Sequence, residues 1–114
     1  MNISNHGDNL YVVIERYTPV EGKLEEVIVT TTEIGKILHG FPGLLQIQIL
    51  EPSSKGDVVS TATWESEIAF KNFMKSQVVK DLMKSDIVES MRVLTENSSF
   101  DTFKLVDGWH PKID

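Results

Sequence analysis

The sequence predicts an α+β domain, a four-stranded antiparallel sheet with its helices on one face. The apolar pattern passes from period two to helical spacing and back, in the order strand, helix, strand, strand, helical region, strand. A chain of 114 residues is long enough to bury one core without metal or disulfide staples. Its 40% hydrophobic and 25% charged content is that of an ordered globular protein.

The first strand is read over Leu10 to Thr18, rich in β-branched and aromatic side chains and stopped by Pro19. Leu10, Val12 and Ile14 fall on one side of it and Tyr11, Val13 and Tyr17 on the other. Neither side is suited to water, and a second subunit over the face away from the helices is the expected cover, making the protein a homodimer.

From Val20 to Leu38 the spacing becomes helical, with Val20, Leu24, Val27, Ile28, Ile34 and Leu38 on one side and Glu21, Lys23, Glu25, Glu26, Glu33 and Lys36 on the other. The run Val27 to Thr32 is β-branched throughout and is the weak middle of that helix. Gly40-Phe41-Pro42-Gly43 ends it.

Leu45, Ile47 and Ile49 alternate with Gln46 and Gln48 in a strand over Leu44 to Glu51. The turn-forming Pro52 to Gly56 then joins it to a strand over Asp57 to Trp64 as a hairpin. Ser66 and Ser76 are placed to cap two short helices, the first presenting Ala69, Phe70, Phe73 and Met74 and the second Val79, Leu82 and Met83, and Ser85 or Asp86 to start another with Ile87, Met91 and Leu94. A last strand is predicted over Phe100 to Val106. The organisation expected is a polar leader over 1–9, one domain over 10–107 and a tail over 108–114.

A net charge of −6 argues against a nucleic-acid binder, which needs a clustered Lys/Arg surface to neutralise phosphates. The absence of cysteine excludes thiolate catalysis, Fe–S clusters and Cys-type zinc sites. His6, His39 and His110 are too far apart in sequence to suggest a shared metal, so no metal site is expected. No apolar run is long enough for a membrane span, and the polar start carries no secretory pattern, so a cytoplasmic protein without membrane partners is expected.

Gly40-Phe41-Pro42-Gly43-Leu44-Leu45, Gln48-Ile49-Leu50-Glu51, Thr63-Trp64-Glu65-Ser66 with Ala69-Phe70, and Lys75-Ser76 together resemble the antibiotic biosynthesis monooxygenase family. The resemblance covers roughly residues 10 to 107. It implies a ferredoxin-like, dimeric α+β barrel and an oxidoreductase that oxidises polycyclic phenols with O2, using no metal or organic cofactor, by first deprotonating the substrate. In appearance the chain is nearest to the family's haem-degrading branch. That branch holds haem with an asparagine, a tryptophan and a histidine, and the positions matching them here are Glu15, Phe73 and Met83.

Deprotonation needs a base and a pocket. Glu15 is the candidate catalytic base, because Val13 and Tyr17 on its strand face supply an apolar setting that disfavours its carboxylate. Phe73, Met83, Tyr17 and Phe70 are the candidate substrate-binding residues, and Trp64 is read as core. The function expected is a cofactor-free monooxygenase acting on a small aromatic or apolar molecule. The alternatives are a haem-binding or haem-degrading enzyme and a non-catalytic, ligand-binding or stress-related dimeric module.

Overall fold

The computed structural model describes residues 9–109. Their elements are β1 (Tyr11–Pro19), α1 (Leu24–Leu38), β2 (Leu44–Leu50), β3 (Val58–Trp64), α2 (Glu67–Met74), α3 (Gln77–Met83), α4 (Asp86–Leu94) and β4 (Thr95–Lys104). The strands form one sheet in the order β2-β3-β1-β4, with every neighbouring pair antiparallel. This is the ferredoxin-like architecture expected, with β1 and β3 central.

The β-branched middle of α1 stays helical because its inner face is buried in the core, while its threonine hydroxyls are satisfied on the helix itself. Thr30, Thr31 and Thr32 donate from Oγ1 to the carbonyl oxygens of Glu26, Val27 and Ile28 at 2.7, 2.7 and 2.8 Å. Threonine hydroxyls in a helix find the carbonyl four residues back, so none of the three is left unpaired. Val27 and Thr31 are the buried residues of this helix.

The helix begins at Leu24 rather than Val20. Gly22, at φ +81°, turns the chain first, and the Val20 amide donates to the Leu94 carbonyl at 2.9 Å, tying the end of β1 to the end of α4. Val20 lies in the turn before the helix, half-buried, and the helical period there is coincidental.

The caps at Ser66 and Ser76 form as expected, and Ser85, not Asp86, caps the third helix. Ser66, Ser76 and Ser85 accept through Oγ from the amides of Ala69, Val79 and Val88 at 3.1, 3.4 and 3.4 Å. Each satisfies an amide that a helix start leaves without an intrahelical partner.

Two clusters lie between sheet and helices. Tyr11, Val13, Trp64, Ala69 and Phe73 form one, and Val27, Val58 and Met91 form the other, with Tyr17 and Ile49 packed against it. The helix-facing side of β1 is therefore Tyr11, Val13, Glu15 and Tyr17, and that of β3 is Val58, Ser60, Ala62 and Trp64.

Gly43 sits where both its backbone and its missing side chain matter. Its φ is +87°, and a Cβ there would come within 2.7 Å of the Ala69 Cβ. Its carbonyl accepts from the Glu65 amide at 2.8 Å, which draws the start of β2 against the entry to α2. Only glycine meets both conditions.

The last strand corrects the sequence reading. β4 runs over Thr95–Lys104, five residues earlier than the predicted start at Phe100, and ends before Val106. It forms an edge of the sheet, and nearly all of it is exposed, so Thr95 to Ser99 carries no apolar alternation to betray a strand.

Candidate active site

β1 places Glu15 at the centre of the sheet, on its helix-facing side. Its register partners are Ser60 on β3 and Phe100 on β4. Glu15 is the one carboxylate on the helix-facing side of β1 and β3, with Val13 before it and Tyr17 after it on the same face. Residues two apart on a strand share a face, so the pairing with Tyr17 follows directly from the strand assignment.

The Tyr17 hydroxyl donates to Glu15 Oε2 at 2.6 Å. That length is typical of an O–H donor to an ionised oxygen. Burial, the negative charge of Glu15 and this hydrogen bond, in that order, push the ionisation of Tyr17 well above the ordinary phenol range. Tyr17 is therefore a protonated donor at any physiological pH, and the surroundings of Glu15 are less uniformly apolar than its sequence neighbours imply.

The other candidate residues are distributed around this point. Phe73 is buried, with its ring centroid 4.9 Å from that of Trp64 and 5.0 Å from that of Phe41. Phe70 is half-buried and bridges Tyr11 at 5.5 Å and Trp64 at 5.8 Å. Both belong to the aromatic cluster flanking Val13, one step along the strand from Glu15. Met83 lies at the end of α3 with 53% of its surface exposed, and is a member of neither core cluster. The structure thus joins Glu15 to Tyr17 directly and Phe70 to Phe73 through Trp64, and it leaves Met83 apart.

Phe100 was not among the residues singled out from sequence. It faces Glu15 across the β1–β4 ladder and is 61% exposed, so an aromatic ring stands beside the carboxylate on the open edge of the sheet. Its place in a last strand was legible, but pairing it with Glu15 needed the true start of β4.

Gln46 and Gln48 lie on the opposite side of the sheet, where Gln48 Oε1 accepts from Thr61 Oγ1 at 3.3 Å, and so do not face this site. His39 is exposed at the end of α1, while His6 and His110 lie outside the described residues. Among the described residues no group of three or more His, Asp or Glu side chains is placed to hold a metal ion. None of the described helices is long and apolar enough to cross a membrane.

A family model for antibiotic biosynthesis monooxygenase matches residues 10–85, about two thirds of the chain. The chain belongs to the antibiotic biosynthesis monooxygenase family. Solved structures agree in fold. SnoaB, a cofactor-independent oxygenase from Streptomyces nogalater, is similar in a mutant form with a TM-score of 0.68 and 17% identity, over 86% of this chain and 94% of that one. A protein from Shewanella oneidensis gives 0.71 at 14% identity, over 92% and 97%. One from Mycobacterium tuberculosis gives 0.70 at 14%, over 87% and 97%. No curated protein matches the chain by sequence.

The segments Pro42-Gly43-Leu44 and Trp64-Glu65-Ser66, on which the resemblance was read, meet in space through the Gly43 carbonyl and the Glu65 amide. That contact joins two of the family-like elements at the point where hairpin and α2 meet.

Proposed function

We propose that this protein is a cofactor-free monooxygenase whose substrate is a small aromatic or apolar molecule bearing an acidic proton, and that Glu15 is its base. The observation that carries the reading is the placement of Glu15, alone among carboxylates on the helix-facing side of the two central strands, hydrogen-bonded by Tyr17 and set against Phe100 across the ladder. Aromatic side chains offer a flat substrate an apolar seat, and the carboxylate supplies the proton acceptor.

For a polycyclic phenol the steps balance without any added reductant. Glu15 takes the phenolic proton, and the phenolate gives one electron to O2. The ring radical and superoxide join through a new carbon–oxygen bond, and Glu15 returns its proton to the peroxide. The ring C–H proton then leaves as the O–O bond breaks, giving a quinone and water. One oxygen atom enters the product and the substrate supplies all the electrons. Membership of the family and the fold shared with a cofactor-independent oxygenase support this reaction class.

The positions matching the haem-holding residues favour it over the haem alternative. Phe73 is packed into the aromatic core and has no donor, and Met83 is an exposed thioether at a helix end. Neither arrangement fits an iron ligand in a closed pocket.

Oxygen uptake is the test. Purified protein given naphthols or hydroxyanthrones is expected to consume one O2 per quinone formed, unaffected by a chelator, and to give no saturable Soret band with haemin. A Soret band at one haem per subunit would put the haem alternative first. A panel of phenols that bind without turnover would favour the non-catalytic module.

The proposed assembly is a homodimer closed through the other side of the sheet. There Val12, Ile14, Val59, Leu50 and Phe103 are apolar, the last two being 46% and 50% exposed, and no described element of this chain packs over them. Sedimentation at micromolar concentration is expected to give twice the chain mass. A stable monomer there would sink the proposal.

A further inference from the structure

We propose that Tyr17 is the positioning residue of Glu15, its hydroxyl fixing one carboxylate oxygen so that the other is the one a substrate proton meets. The inference rests on the reading of Glu15 as the base and says what makes that base directional.

A glutamate on a strand has three rotatable bonds and, left alone, spreads its carboxylate over several positions. Tyr17 has fewer, and its ring is packed against the cluster of Val27, Val58 and Met91, so its hydroxyl is anchored by the core. The 2.6 Å bond from that hydroxyl to Oε2 passes the anchorage to Glu15. Oε1 is left as the oxygen not held by Tyr17. A side chain whose other end is free to swing would lose the alignment on which proton transfer depends.

The charges around the pair do not compete with this arrangement. On the sheet the neighbours of Glu15 and Tyr17 are Val13, Val58, Ser60, Ala62, Ser98, Phe100 and Thr102. From the helices packed above, α1 carries Glu25, Glu26, Glu33 and Lys36, and α4 carries Asp86, Glu89 and Arg92. All of these are exposed, and Glu26, Glu33 and Glu89 are each paired with a cation. The hydroxyl remains a donor because its burial, with the charge of Glu15, keeps it protonated far above neutrality.

The experiment uses the full chain and the variants Tyr17→Phe and Glu15→Gln, with oxygen uptake on the phenol panel and proton NMR of the hydroxyl. Phenylalanine keeps the ring in the core and removes only the donor. Tyr17→Phe is expected to lower kcat by about tenfold to a hundredfold with KM little changed, since misplacing a reacting group by about an ångström costs that much. The wild-type spectrum is expected to show a downfield, slowly exchanging hydroxyl proton that vanishes in Tyr17→Phe. In Glu15→Gln that proton is expected to move upfield, and the Tyr17 phenol to ionise at a lower pH than in the wild type. With only two tyrosines in the chain the assignment is direct.

If Glu15→Gln abolishes turnover while Tyr17→Phe leaves kcat intact, the positioning role is overturned and the base stands. If both variants turn over like the wild type, the reading of Glu15 as base fails and the inference fails with it. Should Tyr17→Phe fold poorly, the hydroxyl signal decides: no change on Glu15→Gln overturns the clamp whatever the activity.

Discussion

Trp64→Ala is expected to lower the unfolding free energy by about 3–5 kcal/mol, the cost seen when a large aromatic is cut from a packed core. Trp64 is only 2% exposed and is the centre of the aromatic cluster, with Phe41, Phe70 and Phe73 at centroid distances of 6.1, 5.8 and 4.9 Å. It also closes β3, pairing with Tyr11 on one side and Leu44 on the other. Alanine would leave a cavity bounded by rings on α2 and on the turn between α1 and β2, and rings held in separate segments cannot collapse freely to fill it.

A domain of this size has roughly 5–15 kcal/mol in total, so the loss is a large fraction, read as a fall in Tm of about 10–25 °C. Urea denaturation followed by circular dichroism gives the value directly. Trp64→Phe, which keeps a ring in place, should cost clearly less. A loss under about 1 kcal/mol for alanine would mean that the cluster is not what joins hairpin to α2. Fluorescence adds a check, since Trp64 is buried while Trp109 is 73% exposed: the blue-shifted emission should go with Trp64.

The same cluster explains why part of the site was legible in the sequence and part was not. Features set by a few adjacent residues were readable: serine three residues before an apolar position marked the first two short helices and narrowed the start of the third to Ser85 or Asp86, and Gly40 to Gly43 ended α1. Strand alternation put Glu15 and Tyr17 on one face before any coordinates, because period two is unaffected by what packs above. The bond between them was not readable, since both side chains had to be turned toward each other by the packing of Tyr17 against α1 and α4.

Long-range pairing was harder still. β4 lies on an edge with solvent on both sides, so its first five residues lack the pattern that burial imposes, and without them Phe100 could not be set against Glu15. Phe70 and Phe73 show the opposite difficulty. Aromatic residues near a presumed pocket suggest a wall for substrate, and here their rings are largely occupied by Trp64, Phe41 and Tyr11.

Glu15→Gln is the sharper probe of chemistry, because it keeps size and hydrogen-bonding capacity while removing the ability to take a proton. General-base catalysis is worth about 10²–10⁴ in rate, so kcat for oxygen uptake is expected to fall by that factor. KM should move far less, since the aromatic neighbours remain. Stability should change little or rise: Tyr17 can still donate to the amide oxygen, and a negative charge has been taken from the interior side of the sheet. The decisive comparison uses a substrate supplied already ionised, at a pH above the pKa of the phenol. There the base has no proton to remove, and the variant is expected to recover most of the wild-type rate. A variant that remains equally slow with the preformed phenolate would show that proton removal is not the step the carboxylate limits, and that Glu15 acts by orienting the substrate or by returning a proton to the peroxide. A variant with unaltered rates at both pH values would leave the carboxylate as a partner for the Tyr17 hydroxyl and nothing more.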